Sequence, residues 1–153
     1  MAKMVRILVA EDHAAMREKV VGTLEGEYSV VGAVCDGQEM VDAESEIKPD
    51  AVVLDISMPT MNGIEAATLL KQRASRAKII FLTVHEEPEF LEAALAAGAL
   101  GYVIKSRLAS DLRLAVREAM AGRRFVSPCL ALISDEAGAP KNVSDLKPSQ
   151  FLN

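Results

Sequence analysis

Five short aliphatic runs, separated by stretches with helical spacing, restrict the possible folds of this chain more than any other feature. They cover residues 5–10, 29–34, 51–54, 78–82 and 101–104. Several are continuous rather than alternating, the pattern of strands covered on both faces. Between and after them apolar residues recur three to four apart: Met16, Val20 and Leu24; Ile64, Ala67 and Leu70; Leu108, Leu112, Ala115, Val116 and Ala119. These read as amphipathic helices. Strand and helix alternate five times, and each parallel pair of strands needs a crossover that a helix supplies. The expected architecture is α/β, a five-stranded parallel sheet with five helices on its two faces. Gly37, Gly63, Gly98 and Gly101 punctuate the joints, with Gly98 and Gly101 read as tight turns, and Pro49 and Pro59 bar helix on either side of the third strand.

The pattern weakens after Gly122, where Pro128, Pro140 and Pro148 fall among small polar residues. Residues 1–124 are therefore assigned to one domain and 125–153 to a linker or tail, with a short helix near 128–133 and Ser127 as its N-cap. Of the 153 residues, 50% are hydrophobic and 25% charged, too apolar for a disordered chain. The 22 acidic and 17 basic residues leave a net charge of −5, the wrong sign for a surface made to grip nucleic acid. Cys35 and Cys129 belong to no disulfide framework or zinc motif. The apolar stretch 7–10 behind Lys3 and Arg6 is too short for a signal peptide or membrane span. A cytoplasmic protein without membrane contact is expected.

In an open parallel sheet, ligands bind beyond the carboxyl ends of the strands. Strand one ends in Glu11-Asp12, strand three in Asp55, strand four in Thr83 and strand five in Lys105. Three carboxylates, a hydroxyl and an ammonium should meet at one rim. Carboxylates so close raise one another's pKa unless a cation sits among them, and a hard ion such as Mg²⁺ suits oxygen donors. Lys105 and Thr83 would donate to phosphoryl oxygens, and one carboxylate could serve as nucleophile, with Asp55 the best candidate.

The segment from Val53 through Asp55, Met58-Pro59 and Asn62-Gly63-Ile64-Glu65 to Ala66, with Glu11-Asp12, Thr83 and Lys105 at their spacings, resembles the receiver domain of bacterial two-component response regulators. Thr83-Val84-His85, Ala97-Gly98-Ala99-Leu100-Gly101-Tyr102 and Lys105-Ser106 are most similar to the NarL/FixJ branch. The resemblance implies a flavodoxin-like fold with strand order 2-1-3-4-5. It implies that Asp55 is the phosphoacceptor for a sensor histidine kinase, with Mg²⁺ held by Glu11, Asp12, Asp55 and the main chain of Ser57. Thr83, Lys105 and Tyr102 would contact the phosphoryl group or switch with it. Such a domain acts as a phosphorylated signalling module, not an enzyme with a diffusible substrate. A homodimer is a further expected partner, and DNA would be reached only through an output domain absent from this chain. Many receivers carry proline after the lysine; with Ser106 there, a trans bond is expected.

Other readings stand beside these. A stand-alone receiver acting on protein partners fits the same residues. An aspartyl-phosphate phosphatase would want a second carboxylate just past Asp55, where Ile56-Ser57 offers none. A nucleotide- or flavin-binding module would want a glycine-rich loop after strand one. Tyr102 could equally be plain core, His13 and His85 read as surface residues near the site, and Asp36 and Asp50 as turn formers or caps. Met58 and Met61 suggest packing before kinase docking. Arg107, Arg113, Arg117, Arg123 and Arg124 suggest a solvated face before a partner surface. Leu146-Lys147-Pro148-Ser149-Gln150 faintly resembles the opening of an effector domain.

Overall fold

The computed structural model describes residues 4–128 and residue 130. Each aliphatic run forms a strand and each intervening stretch a helix: β1 Arg6–Ala10, α1 Ala14–Leu24, β2 Ser29–Val34, α2 Gly37–Ile47, β3 Ala51–Leu54, α3 Gly63–Gln72, β4 Lys78–Thr83, α4 Pro88–Ala96, β5 Gly101–Ile104 and α5 Leu108–Met120. With β6 formed by Phe125–Val126, the sheet is parallel throughout and ordered β2-β1-β3-β4-β5-β6. The sixth strand corrects the five-strand expectation. Phe125–Val126 pairs with Gly101 and Tyr102 of β5, so the first residues read as tail complete the sheet edge. Two residues make too short a run to register as a strand from sequence.

Strands β3 and β5 are buried along their whole length, which is why their sequences are continuously apolar. One face of the sheet packs Leu8, Val52, Leu54 and Phe81 against α2, α3 and α4 through Met40, Ile64, Leu70 and Leu91. On the other face Ile7, Val9, Val53 and Ile80 meet α1 and α5 through Val20, Leu24, Leu112 and Val116. Each fully buried aliphatic side chain of this kind stabilises the fold by about 1.5–3 kcal/mol. Asp36 accepts from the Glu39 N–H and caps α2, and Asn62 with Glu65 forms a reciprocal capping box on α3. Asp50 accepts from the Arg6 N–H.

Two glycines expected at tight turns behave differently from each other. Gly98 has φ +98 and turns the chain after α4. Gly101, expected at a turn, lies inside β5, where a Cβ would come within 2.8 Å of Ile80 Cγ2, so close strand packing is its reason. The peptide bond between Lys105 and Ser106 is trans, as are all bonds among the described residues. The helix expected near 128–133 begins at Pro128, with the Leu130 N–H donating to the Ser127 carbonyl at 2.8 Å. Its remainder, and the segment 146–150, lie outside the described residues.

Candidate functional site

The loops that leave β1, β3 and β5 bring together a buried acid, a second buried acid and a lysine. Glu11 and Asp55 are nearly inaccessible to solvent, at 2% and 3%. Backbone bonds from Glu11 N to Val34 O and from Asp55 N to Ala10 O extend the sheet ladder just past the strand ends and fix both residues at the rim. Asp55 Oδ1 accepts from the Ile56 N–H at 2.7 Å. Its other oxygen, Oδ2, lies 2.7 Å from Lys105 Nζ, and the same ammonium lies 2.7 Å from Glu11 Oε1. Lys105 therefore bridges the two carboxylates.

The loop behind Asp55 is anchored by glycine. Gly63 N donates to Ile56 O at 2.7 Å, and a Cβ on Gly63 would fall 2.0 Å from the Asp55 carbonyl oxygen. No side chain fits there. The loop from Ile56 to Asn62 is thereby folded back against the end of β3, which sets the direction of the Asp55 carboxylate.

Burial raises the Glu11 pKa, and the Asp55 charge adds to the rise, while the Lys105 contact and the His13 N–H oppose it. For Lys105, burial pulls downward, but the Asp55 charge and the hydrogen bonds to Asp55 and Glu11 prevail and raise its pKa. The ammonium is thus held charged between two acids that would otherwise repel. Asp12 and His13 sit at the mouth of the cluster. Donor atoms of Glu11, Asp12 and His13 approach within 4.8 Å of one another, with His13 Nδ1 at 3.4 Å from Asp12 Oδ1. Asp55, expected in the metal set, has Oδ2 bonded to Lys105 Nζ at 2.7 Å. His13 is exposed, as its sequence context suggested.

The structure places Thr83 at the end of β4, fully buried, its hydroxyl accepting from the His85 N–H at 3.3 Å. Tyr102 is fully buried in β5, and its hydroxyl donates to the His85 carbonyl at 2.8 Å. Burial raises its pKa well above the ordinary tyrosine value, helped by Glu87, Asp55 and Glu86, so it remains a neutral donor. His85 departs from expectation. Its side chain is only 10% exposed, it stacks on Phe90 with ring centroids 4.1 Å apart, and its Nε2 lies 2.8 Å from Ser57 Oγ. Ser57, expected to contribute only through its main chain, thus also uses its hydroxyl. The signal was legible in the period of two: Thr83 points in, Val84 out and His85 in again. What the cluster offers is a buried carboxylate at the sheet rim, with a fixed ammonium, a hydroxyl and an acid-rich mouth around it.

Residues 7–117 match the model of the response regulator receiver domain. The chain belongs to that family. Receiver domains are the signalling domains of response regulators. Response regulator GacA of Pseudomonas viridiflava is 35% identical over 131 residues, covering 84% of this chain and 61% of GacA. The nitrate/nitrite response regulator protein NarL of Escherichia coli (strain K12) is 29% identical over 152 residues, 94% of this chain and 70% of NarL. This receiver chain thus spans about three-fifths of the length of the GacA relatives. Among solved structures, a LuxR-family two-component response regulator from Aurantimonas sp. SI85-9A1 superposes with TM-score 0.83 at 36% identity, covering 88% of this chain and 99% of that one. The signal receiver domain of the putative response regulator NarL from Mycobacterium tuberculosis gives TM-score 0.72 at 30% identity, covering 80% of this chain and all of that one. The flavodoxin-like fold and the NarL and LuxR neighbours agree with the resemblance drawn from the motifs. No helix among the described residues is long and apolar enough to cross a membrane.

Proposed function

We propose that this receiver accepts a phosphoryl group on Asp55 from the phosphohistidine of a sensor kinase and passes the change to a protein-interaction surface. The observation that carries the reading is the Lys105 ammonium, 2.7 Å from both Asp55 and Glu11 in a buried cluster at the carboxyl ends of the strands. In the transfer, an Asp55 carboxylate oxygen attacks phosphorus while the phosphorus–nitrogen bond breaks, and the electron pair stays on the kinase imidazole. Hydrolysis reverses the modification, since water attacks phosphorus and the carboxylate leaves. Neither step needs an oxidant or reductant.

The residues fit a hard divalent cation. Lys105 already shows that a positive charge is stable between Glu11 and Asp55, and the donor set is rich in oxygen. In this proposal Glu11, Asp12, Asp55 and the Ser57 carbonyl hold Mg²⁺, which supplies charge compensation for the carboxylates and for phosphoryl oxygens. Lys105 and the Thr83 hydroxyl donate to those oxygens. A contact made in only one of two conformers shifts their populations by no more than its differential energy, and Tyr102 is the β5 group through which we expect the shift to spread. We assign the output to a protein surface, with a second copy of the chain as one partner, and to transcription control through an output domain where the receiver is part of a longer protein. The setting we propose is the cytoplasm, in keeping with the free Cys35.

The test is incubation with acetyl phosphate and Mg²⁺ followed by intact-mass measurement. One added phosphate on the wild type and none on Asp55→Ala is expected. An unmodified wild type, or an Asp55→Ala chain modified to the same extent, overturns the assignment.

A further inference from the structure

Outside the phosphoacceptor cluster, two buried polar side chains, Asp111 and Ser127, are bonded to each other. Ser127 is fully buried although it lies in the stretch whose composition reads as a tail. Its N–H donates to the Tyr102 carbonyl at 3.0 Å, continuing the β5–β6 ladder. Where the backbone of β6 stops, the side chain takes over. The Ile104 N–H donates to Ser127 Oγ at 3.1 Å, and Oγ donates to Asp111 Oδ2 at 2.9 Å. Asp111 is held in turn by Arg107 Nε at 2.8 Å and Ser110 Oγ at 3.0 Å. One hydroxyl ties the last residue of β5 to the first turn of α5 and to the segment leaving the sheet.

The location of these bonds matters more than their number. Any buried serine must satisfy its hydroxyl, but this one grips the chain on both sides of Lys105. Ile104 precedes the lysine and is bonded directly; Arg107 follows it by two residues and is bonded through Asp111. Lys105 to Arg107 form the short 3₁₀ turn between these two anchors. The other β5 residue that Ser127 grips, Tyr102, directs its hydroxyl to His85 beside the acidic cluster. Beyond Ser127, Leu130 is buried in the core on the α4 side, so the segment has a second anchor.

We infer that Ser127 is a positioning residue for Lys105, and the point through which the phosphoryl state of Asp55 reaches residues 125–130. The inference rests on the phosphoacceptor reading. Any movement of the Lys105 backbone that accompanies a shift of its ammonium toward phosphoryl oxygens acts on the Ile104–Ser127 bond and on the Arg107–Asp111–Ser127 chain. Linkage makes the effect reciprocal: whatever phosphorylation does to the docking of this segment, the docking does to phosphorylation.

Amide hydrogen exchange on the wild-type chain, before and after modification by acetyl phosphate with Mg²⁺, tests the first half. Exchange at Ile104, Phe125 and Ser127 is expected to change about tenfold, a typical coupling between linked sites. A merely structural serine predicts no change there. The second half uses Ser127→Ala. Its maximal rate of phosphorylation should fall about tenfold while Mg²⁺ affinity and the KM for acetyl phosphate stay within about twofold, because Lys105 is misplaced and the metal site is not. A folded variant that phosphorylates at the wild-type rate overturns the positioning role. Should the variant fail to fold, the wild-type exchange decides alone. A wild type that takes no phosphate sinks the phosphoacceptor reading and this inference together. One that takes phosphate with all three amides unmoved sinks only the inference.

Discussion

The two ends of the sheet carry opposite kinds of charge in opposite circumstances. At the carboxyl end, Glu11 and Asp55 are buried and each lies 2.7 Å from the nearly buried Lys105 ammonium. At the amino end, before β3 and β4, a cavity of about 590 Å³ is ringed by Lys48, Asp50, Arg73, Arg76 and Lys78. None of those four cations has an ion-pair partner among the described residues, and Lys48, Arg73 and Arg76 are exposed. Burial makes the difference, because desolvation magnifies every interaction between charges and so couples their protonation, position and occupancy. Exposed charges next to water are screened and act nearly independently.

That contrast can be broken by substitution. Lys105→Met removes the cation between two buried carboxylates and should lower stability without metal by about 3 kcal/mol. Mg²⁺ should restore more stability to this variant than it adds to the wild type. Urea melts with and without Mg²⁺ measure both, and equal Mg²⁺ responses would contradict the bridging role. Gly63→Ala comes next. Its Cβ would lie 2.0 Å from the Asp55 carbonyl, and the loop must move at a cost of about 2–3 kcal/mol, visible as a lower urea midpoint.

A smaller effect is expected at Asp111. Burial pushes its pKa up, but hydrogen bonds from Arg107, Ser127 and Ser110 and the Arg107 charge outweigh it, so the folded value lies below the ordinary 3.8. A carboxyl depressed on folding stabilises the protein above its unfolded pKa, and that contribution is lost as pH falls through the depressed value. The wild type should therefore exceed Asp111→Asn by about 1.5 kcal/mol at neutral pH, since these are hydrogen bonds to a charge. Urea melts should show the gap closing below about pH 4. The smallest effect belongs to the amino end, where Arg73→Ala and Arg76→Ala should each change stability by less than about 0.5 kcal/mol. Their phosphorylation rates should match the wild type.

The same contrast explains what the amino acids reveal before folding. Strands buried on both faces must be continuously apolar, so β3 and β5 stand out, and polar residues at their carboxyl ends mark the site at Asp55 and Lys105. The rest depends on contacts distant in sequence. β6 is only Phe125–Val126, and it exists because the edge of β5 is open to pairing and Ser127 can finish the ladder. Asp111 sits in a helix as an ordinary polar residue, and nothing local says that it faces Ser127, 16 residues later. His85 lies between: its alternation with Thr83 was readable, but its stacking on Phe90 and its bond to Ser57 need the turn into α4. Gly101 misled because close packing against Ile80 is a property of the neighbouring strand.

Borohydride trapping identifies the phosphorylated residue itself. It reduces an aspartyl phosphate to homoserine, so peptide mapping after treatment with acetyl phosphate and Mg²⁺ reads the modified position itself. Homoserine is expected at position 55, with unchanged aspartate at positions 12, 36, 50 and 111. Conversion at any of those positions instead, or intact Asp55 in a chain that has gained phosphate, would contradict the Asp55 assignment.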